Sequence, residues 1–314
     1  MKQYHEINFV RSVLILLVIL VHIVYFGELY PAVKAGILGF MMPSFLVVTG
    51  YLVNIEKTFK EFSLYLFRIF VPYLIMVVGF SVLSAFLPVR DGIAEITVSV
   101  LLEKVFVSSI GPYWFLYVMM GCGICYYLSF KILPMGKHVA VRLIAFAGLL
   151  YLASLVVPLM AVKIVMYYFA GAALRQLKLE YSSVFSPTVL GGFCLFALLF
   201  LTNDRDWGSI LVVLTVIEFL AFSNWVHRFL SPRLSDYADW IGMNTLPIYL
   251  FHPIFTMVGK FYLPFFAWDS TGICFTILTL LLAVCGSLLI AWLLDKTNLS
   301  NVFGRKSSSG QHDE

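Results

Sequence analysis

The chain has 314 residues, of which 61% are hydrophobic and only 12% charged, and its mean hydropathy is +0.94. A soluble domain carries about twice that share of charge, so the composition excludes a soluble globular enzyme and describes a polytopic membrane protein. The formal net charge of +4 gathers into no basic stripe and no basic loop interleaved with aromatics, which leaves no signature of a nucleic-acid partner.

Ten apolar runs follow one another: roughly 7–26, 35–53, 65–86, 113–130, 139–157, 162–174, 187–201, 208–226, 240–262 and 271–294. Each is expected to cross the bilayer as a helix. The expected fold is therefore all-α, a polytopic membrane protein of about ten transmembrane helices. Residues 1–306 form its membrane domain and 307–314 a polar, disordered tail. The first run is too long for the apolar region of a signal peptide, contains Arg11 and His22, and has no small-residue cleavage site after it. Between the third and fourth runs, Arg90, Asp91, Glu95, Glu103 and Lys104 punctuate residues 87–112. This stretch is expected to be an outer loop with an interfacial helix over roughly 93–107. The five cysteines all lie in apolar runs. Cys122 and Cys125 form a C-x-x-C without a second pair, so small core residues explain them better than redox or metal chemistry.

Orientation follows from the loop charges. One side collects Lys2, Lys57, Lys60, Lys131, Lys137, Arg175, Lys178, Arg228, Arg233, Lys296, Arg305 and Lys306. The other has Lys34, Arg90, Lys104, Lys163, Arg205 and Lys260. The positive-inside rule places both termini in the cytoplasm.

The first run carries two ionisable residues, Arg11 and His22. Eleven residues make about three turns, so both leave one helix face, on the order of 16 Å apart along the axis. Such groups inside a membrane mark a functional site by default. The alternatives are that Arg11 snorkels to the interface and that His22 only fastens two helices together. His252, in L-P-I-Y-L-F-H-P, is expected on one ninth helix starting near Trp240 and about 18 Å from that start. Pro247 and Pro253 flank it, and each removes a backbone donor and can free a carbonyl. Glu218 is the carboxylate deep in a run, either paired with a histidine or arginine or kept as a hydrogen-bonded core group. Arg68 lies at the cytoplasmic end of the third run, where it could meet a phosphate or snorkel. Trp114 opens the fourth run, as an acceptor-side contact or an aromatic-belt anchor.

No nucleotide-binding glycine loop, metal-ligand cluster or Ser-His-Asp arrangement is visible. The available chemistry is a histidine base that takes a hydroxyl proton and arginines that hold phosphate. That combination suits acyl transfer from a phosphorylated carrier.

The segments then fall into a known order. Arg11, ten residues, then His22 matches the first-helix mark of the acyltransferase 3 family of integral-membrane O-acyltransferases. F-M-M-P-S-F-L-V-V-T-G-Y-L at 40–52, R-I-F-V-P-Y at 68–73, P-Y-W-F-L at 112–116 and G-M-N-T-L-P-I-Y-L-F-H at 242–252 resemble its later segments. The resemblance covers nearly the whole chain. It implies His22 as the catalytic histidine, Arg11 as its partner in acyl-CoA handling, and an acetylase of the O-antigen, Nod-factor or enterobacterial-common-antigen type. The family's R-x-x-R in the third helix is incomplete, because Tyr65 and Val71 flank Arg68 at those distances; Lys57, Lys60 or Arg175 could stand in. Thr49 stands where serine is common. An appended periplasmic domain is not expected.

The expectation is thus a multi-pass protein of the bacterial inner membrane. It would transfer an acetyl group from acetyl-CoA, the acyl donor, to a hydroxyl of a surface polysaccharide or lipid-linked glycan. His22 and Arg11 would be catalytic, and Arg68, Trp114, His252 and Glu218 would bind substrate, with no metal. A transporter or flippase of glycan precursors, and a non-catalytic partner of a polysaccharide synthase, are the rival readings.

Overall fold

The computed structural model describes residues 5–86, 92–134, 136, 138–201, 205–297 and 299. The described residues form helices and no strand. In chain order the helices are α1 (His5–His22), α2 (Val24–Leu29), α3 (Pro31–Leu52), α4 (Phe59–Ser84), α5 (Val98–Glu103), α6 (Trp114–Tyr127), α7 (Val139–Val156), α8 (Val162–Gln176), α9 (Tyr181–Val184), α10 (Val189–Leu201), α11 (Ile210–His227), α12 (Pro232–Met243), α13 (Thr245–Tyr262) and α14 (Ile273–Lys296). Among the described residues seven spans are long and apolar enough to cross a membrane: α1, α3, α4, Gly111–Ile132 around α6, α7, α11 and α14. The bent pair α12 and α13 brings the number to eight if it counts as one span. The sixth and seventh runs correspond to the shorter α8 and α10, of 15 and 13 residues. The tail 307–314, the loop residues Arg90 and Asp91, and the charges Lys2, Lys137, Arg305 and Lys306 lie outside the described residues.

Three expected elements are corrected. The first apolar run is not one helix: α1 ends at His22, Ile23 is extended at φ −74° and ψ 105°, and α2 begins at Val24. The ninth run is not one helix either. Asn244 sits at φ −102° and ψ 23°, and α12 and α13 meet there at 80°. The physical reason is local. The Asn244 amide donates to the Trp240 carbonyl at 2.8 Å, closing the end of α12. Pro247 then falls in the first turn of α13, where a missing N–H costs nothing. His252 is therefore seven residues into its helix, about 10 Å from its start, not the ~18 Å that a continuous helix from Trp240 implies. The interfacial helix begins at Val98, because the Thr97 hydroxyl accepts from the Val100 N–H at 3.3 Å and caps it there. It continues as a wider π turn through Ser108.

The chain forms two compact units, Met1–Val48 with Lys178–Ala291, and Thr49–Leu177 with Trp292–Glu314. In the first, α1 packs along α12, α13 and α11, and α10 packs on α11. Small residues bring the backbones together. Gly242 of α12 lies against the Asn8 carbonyl of α1, and a side chain there would collide with that backbone. On α14, Phe275, Thr279, Ala283, Ser287 and Ala291 recur every four residues as a buried stripe. Gly286 accommodates the Phe255 ring from α13, and the Tyr262 hydroxyl donates to Thr279 Oγ1 at 2.9 Å. Without a hydrophobic difference between lipid and side chain, such close packing and interhelical hydrogen bonds are what hold membrane helices together.

In the second unit α4, α6, α7 and α8 pack around aromatic rings. Phe62 stacks on Tyr127 at 4.1 Å and Tyr126 on Phe146 at 5.1 Å. Buried Tyr73 donates to the Val105 carbonyl at 2.7 Å. Gly50 admits the Tyr168 carbonyl. Thr58 and Glu61 form a reciprocal capping box at the start of α4, the Thr58 N–H donating to Glu61 Oε2 at 2.8 Å; such a cap is worth about 1 kcal/mol.

Candidate active site

The site is built on one face of α1 laid along α13. Arg11, half-buried, donates from Nη2 to Thr245 Oγ1 at 2.7 Å. Eleven residues on, the ring of His22 meets that of His252 edge to face, with centroids 5.1 Å apart at 71°. The contacts advance in the same sense along both helices, since Thr245 precedes His252 as Arg11 precedes His22. The two spacings differ: eleven residues of α1 span about 16 Å and seven of α13 about 10 Å. The long Arg11 side chain takes up the difference. Nearer the start of α1, His5 pairs with the buried Asp239 carboxylate of α12. The shared-face geometry read from the spacing of Arg11 and His22 is thus present, and α13 is its counterpart.

Both imidazoles are held the same way. His22 Nδ1 donates to the Val18 carbonyl at 2.6 Å. His252 Nδ1 donates to the Tyr249 carbonyl at 2.8 Å and lies 3.2 Å from that of Ile248. The second arrangement has a covalent cause. In an unbroken helix the Tyr249 carbonyl accepts from the N–H of residue 253, but Pro253 has none. The freed carbonyl is taken by the histidine ring. A proton on each Nδ1 leaves each Nε2 as the basic nitrogen. His252 is fully buried, and its Nε2 has no hydrogen-bond partner. His22 is only half-buried, so it is the imidazole with access to a ligand.

Glu218 of α11, also half-buried, faces α10: a Cβ at Gly191 would lie 3.0 Å from Glu218 Oε2. Two expected site residues belong to the other unit. Trp114 is the first residue of α6, half-buried and edge-on to Phe115 at 6.3 Å. Arg68 is half-buried on α4. Lys57, in the loop before α4, places its ammonium 4.2 Å from the centre of the Tyr65 ring. Burial pushes the Lys57 amine below its ordinary value; Glu61 opposes this and the neighbouring Arg68 cation adds to it. Arg175 lies 5.7 Å from the Tyr51 ring in the same unit.

Thr245 and Asp239 were not singled out from sequence. Asp239 stands one residue before the apolar run and is a detectable signal. A threonine such as Thr245 is ordinary in a membrane helix, and only the packing of α1 gives it a role.

A helical, multi-pass membrane protein with two facing imidazoles, one buried and one half-buried, and an arginine on one shared face is the class this geometry defines. The acyltransferase 3 family, described as an acyltransferase domain, matches residues 4–294. The chain belongs to that family and is a membrane acyltransferase. No curated protein and no solved structure matches it.

Proposed function

We propose that the protein is an O-acyltransferase of the bacterial inner membrane that moves an acetyl group from acetyl-CoA to a hydroxyl of a surface polysaccharide or its lipid-linked precursor. The observation that carries this reading is the His22–His252 pair, both rings fixed through Nδ1 and one of them accessible. The acceptor oxygen attacks the thioester carbonyl carbon while His22 Nε2 takes the hydroxyl proton. The C–S bond breaks, and the proton passes to the CoA thiolate. Withdrawing the proton as the bond forms is worth about 10²–10⁴ in rate. His252, closed to solvent, is a positioning residue that sets the His22 ring. Arg11, turned toward the start of α13, handles the donor, and its guanidinium suits phosphate oxygens. Loop charges support cytoplasmic termini and a donor entering at the Arg11 end.

The test is acetyl transfer from labelled acetyl-CoA by the purified protein in detergent, with His22→Ala beside the wild type and membrane insertion checked. Near-normal transfer by the inserted variant would sink the mechanism. Glycan mass spectra with and without the gene name the acceptor by the acyl mass that is lost.

A further inference from the structure

Lys34 is a charged side chain that this chemistry leaves unused. It lies one turn into α3, half-buried. Its stem folds back over α2: a Cβ at Gly27 would lie 2.7 Å from both Lys34 Cδ and Nζ and 3.2 Å from Cε. The absence of a side chain at Gly27 is what lets the ammonium lie on that backbone. Gly27 lies on α2, which begins at Val24, two residues past His22. Among the described residues no carboxylate pairs with Lys34; Glu28, the residue after Gly27, is exposed and makes no ion pair with it. Arg205 also touches α3, but at Gly36 and Gly39, which lie about 200° and 140° around the helix from Lys34. Lys34 is therefore the α3 cation, among the described residues, that lies on α2, the helix following His22.

A half-buried cation with no counter-charge among the described residues is costly in a low dielectric. A lysine that merely snorkels extends its stem toward the interface; this one is folded across a glycine of α2, the helix that follows His22. Its place also separates it from the donor. Arg11 lies eleven residues earlier on α1, about 16 Å along the axis, whereas α2 and α3 follow His22. We propose that Lys34 recognises a carboxylate or phosphate on the acceptor, next to the hydroxyl presented to His22, so that the preferred acceptor is an acidic glycan. This rests on the acyl-transfer reading above.

The test uses the full chain in lipid nanodiscs and two probes, a glucuronic-acid disaccharide and its neutral glucose counterpart, with binding and acetyl transfer measured separately. Wild type should bind and acetylate the acidic probe about ten- to a hundredfold better, the range for a hydrogen bond to a charged group. Lys34→Met should erase that preference and Lys34→Arg should keep most of it. Equal binding of the two sugars by wild type, or a preference that survives Lys34→Met, overturns the inference. So does an equal loss of transfer to both sugars, because the charge then serves the reacting carbonyl. A Lys34→Met effect seen only when phosphatidylglycerol replaces phosphatidylcholine assigns Lys34 to lipid phosphate and also overturns it. A binding preference that Lys34→Met abolishes, with no acetyl transfer to either sugar, upholds the charge recognition and overturns the acyl-transfer reading instead.

Discussion

The two compact units solve the same packing problem with different materials. In the unit that contains α1, ionisable groups are drawn into the helix interfaces: His5 meets Asp239, Arg11 meets Thr245, and His22 meets His252. In the unit built on α4, α6, α7 and α8, the interior is aromatic. Its polar contacts include tyrosine hydroxyls, such as Tyr73 on the Val105 carbonyl and Tyr127 on that of Lys57. A tyrosine buries a large ring and satisfies its one hydroxyl with a carbonyl, which stabilises without storing reactivity. A histidine, an arginine or an aspartate in the same position is costly to bury and is explained by what it does. The contrast teaches where to look for chemistry in a chain that is apolar almost throughout.

The largest test of that contrast is loss of the base. His22→Ala should lower acetyl transfer by roughly 10²–10⁴, whereas Tyr73→Phe should cost about 1 kcal/mol of stability and leave turnover close to wild type. Next is the seam between α1 and α12. Gly242→Ala drives a Cβ into the Asn8 backbone, and overpacking of this kind costs about 1–3 kcal/mol. Thermal unfolding in detergent should fall, and activity with it, because α1 carries both Arg11 and His22. Thr245→Val removes the hydroxyl that accepts from Arg11. The expected result is a rise in KM for acetyl-CoA of about tenfold with kcat largely kept, given about 1.5–3 kcal/mol for a hydrogen bond to a charged group. Pro253→Ala restores an N–H that competes with His252 for the Tyr249 carbonyl. A three- to tenfold fall in kcat is expected, from about 0.5–1.5 kcal/mol for one net hydrogen bond.

The smallest effect belongs to the turn before α14. There Asp269 accepts from the Thr271 hydroxyl at 2.6 Å and from the Cys274 N–H at 2.8 Å. The Thr271 hydroxyl, ahead of the backbone donors, holds its carboxyl below the ordinary range. A depressed folded value means the contribution is complete above the unfolded pKa, about 3.9, and is lost as pH falls through the folded one. Asp269→Asn should flatten that acid limb of the unfolding curve while leaving stability near neutrality slightly lower.

Much of this was legible in the residues. The ten apolar runs each correspond to helix, because a bilayer leaves the backbone no other open-ended way to satisfy its polar groups. Arg11 and His22 were paired by counting turns. The break at Ile23 was not legible: no proline or glycine marks it, and Ile23 itself favours no turn. The break at Asn244 carries a signal, an asparagine three residues before Pro247, but an apolar run unbroken from Trp240 to Tyr262 reads as one helix. Thr245 and Gly27 acquire meaning only from a partner far away in the chain, Arg11 in one case and the folded stem of Lys34 in the other.

The end of α1 at His22 has a consequence for how such a protein can diversify. Everything before that residue is gripped: a carboxylate, a glycine contact and a threonine hydroxyl hold it in register. After it, from Val24 onward, a separate short helix begins in which no residue is buried. The nitrogen proposed as the base therefore stands at the border between a tightly packed stretch and a more open one. A new acceptor could be accommodated by changing the residues of α2 and the first turn of α3, with the base left where it is.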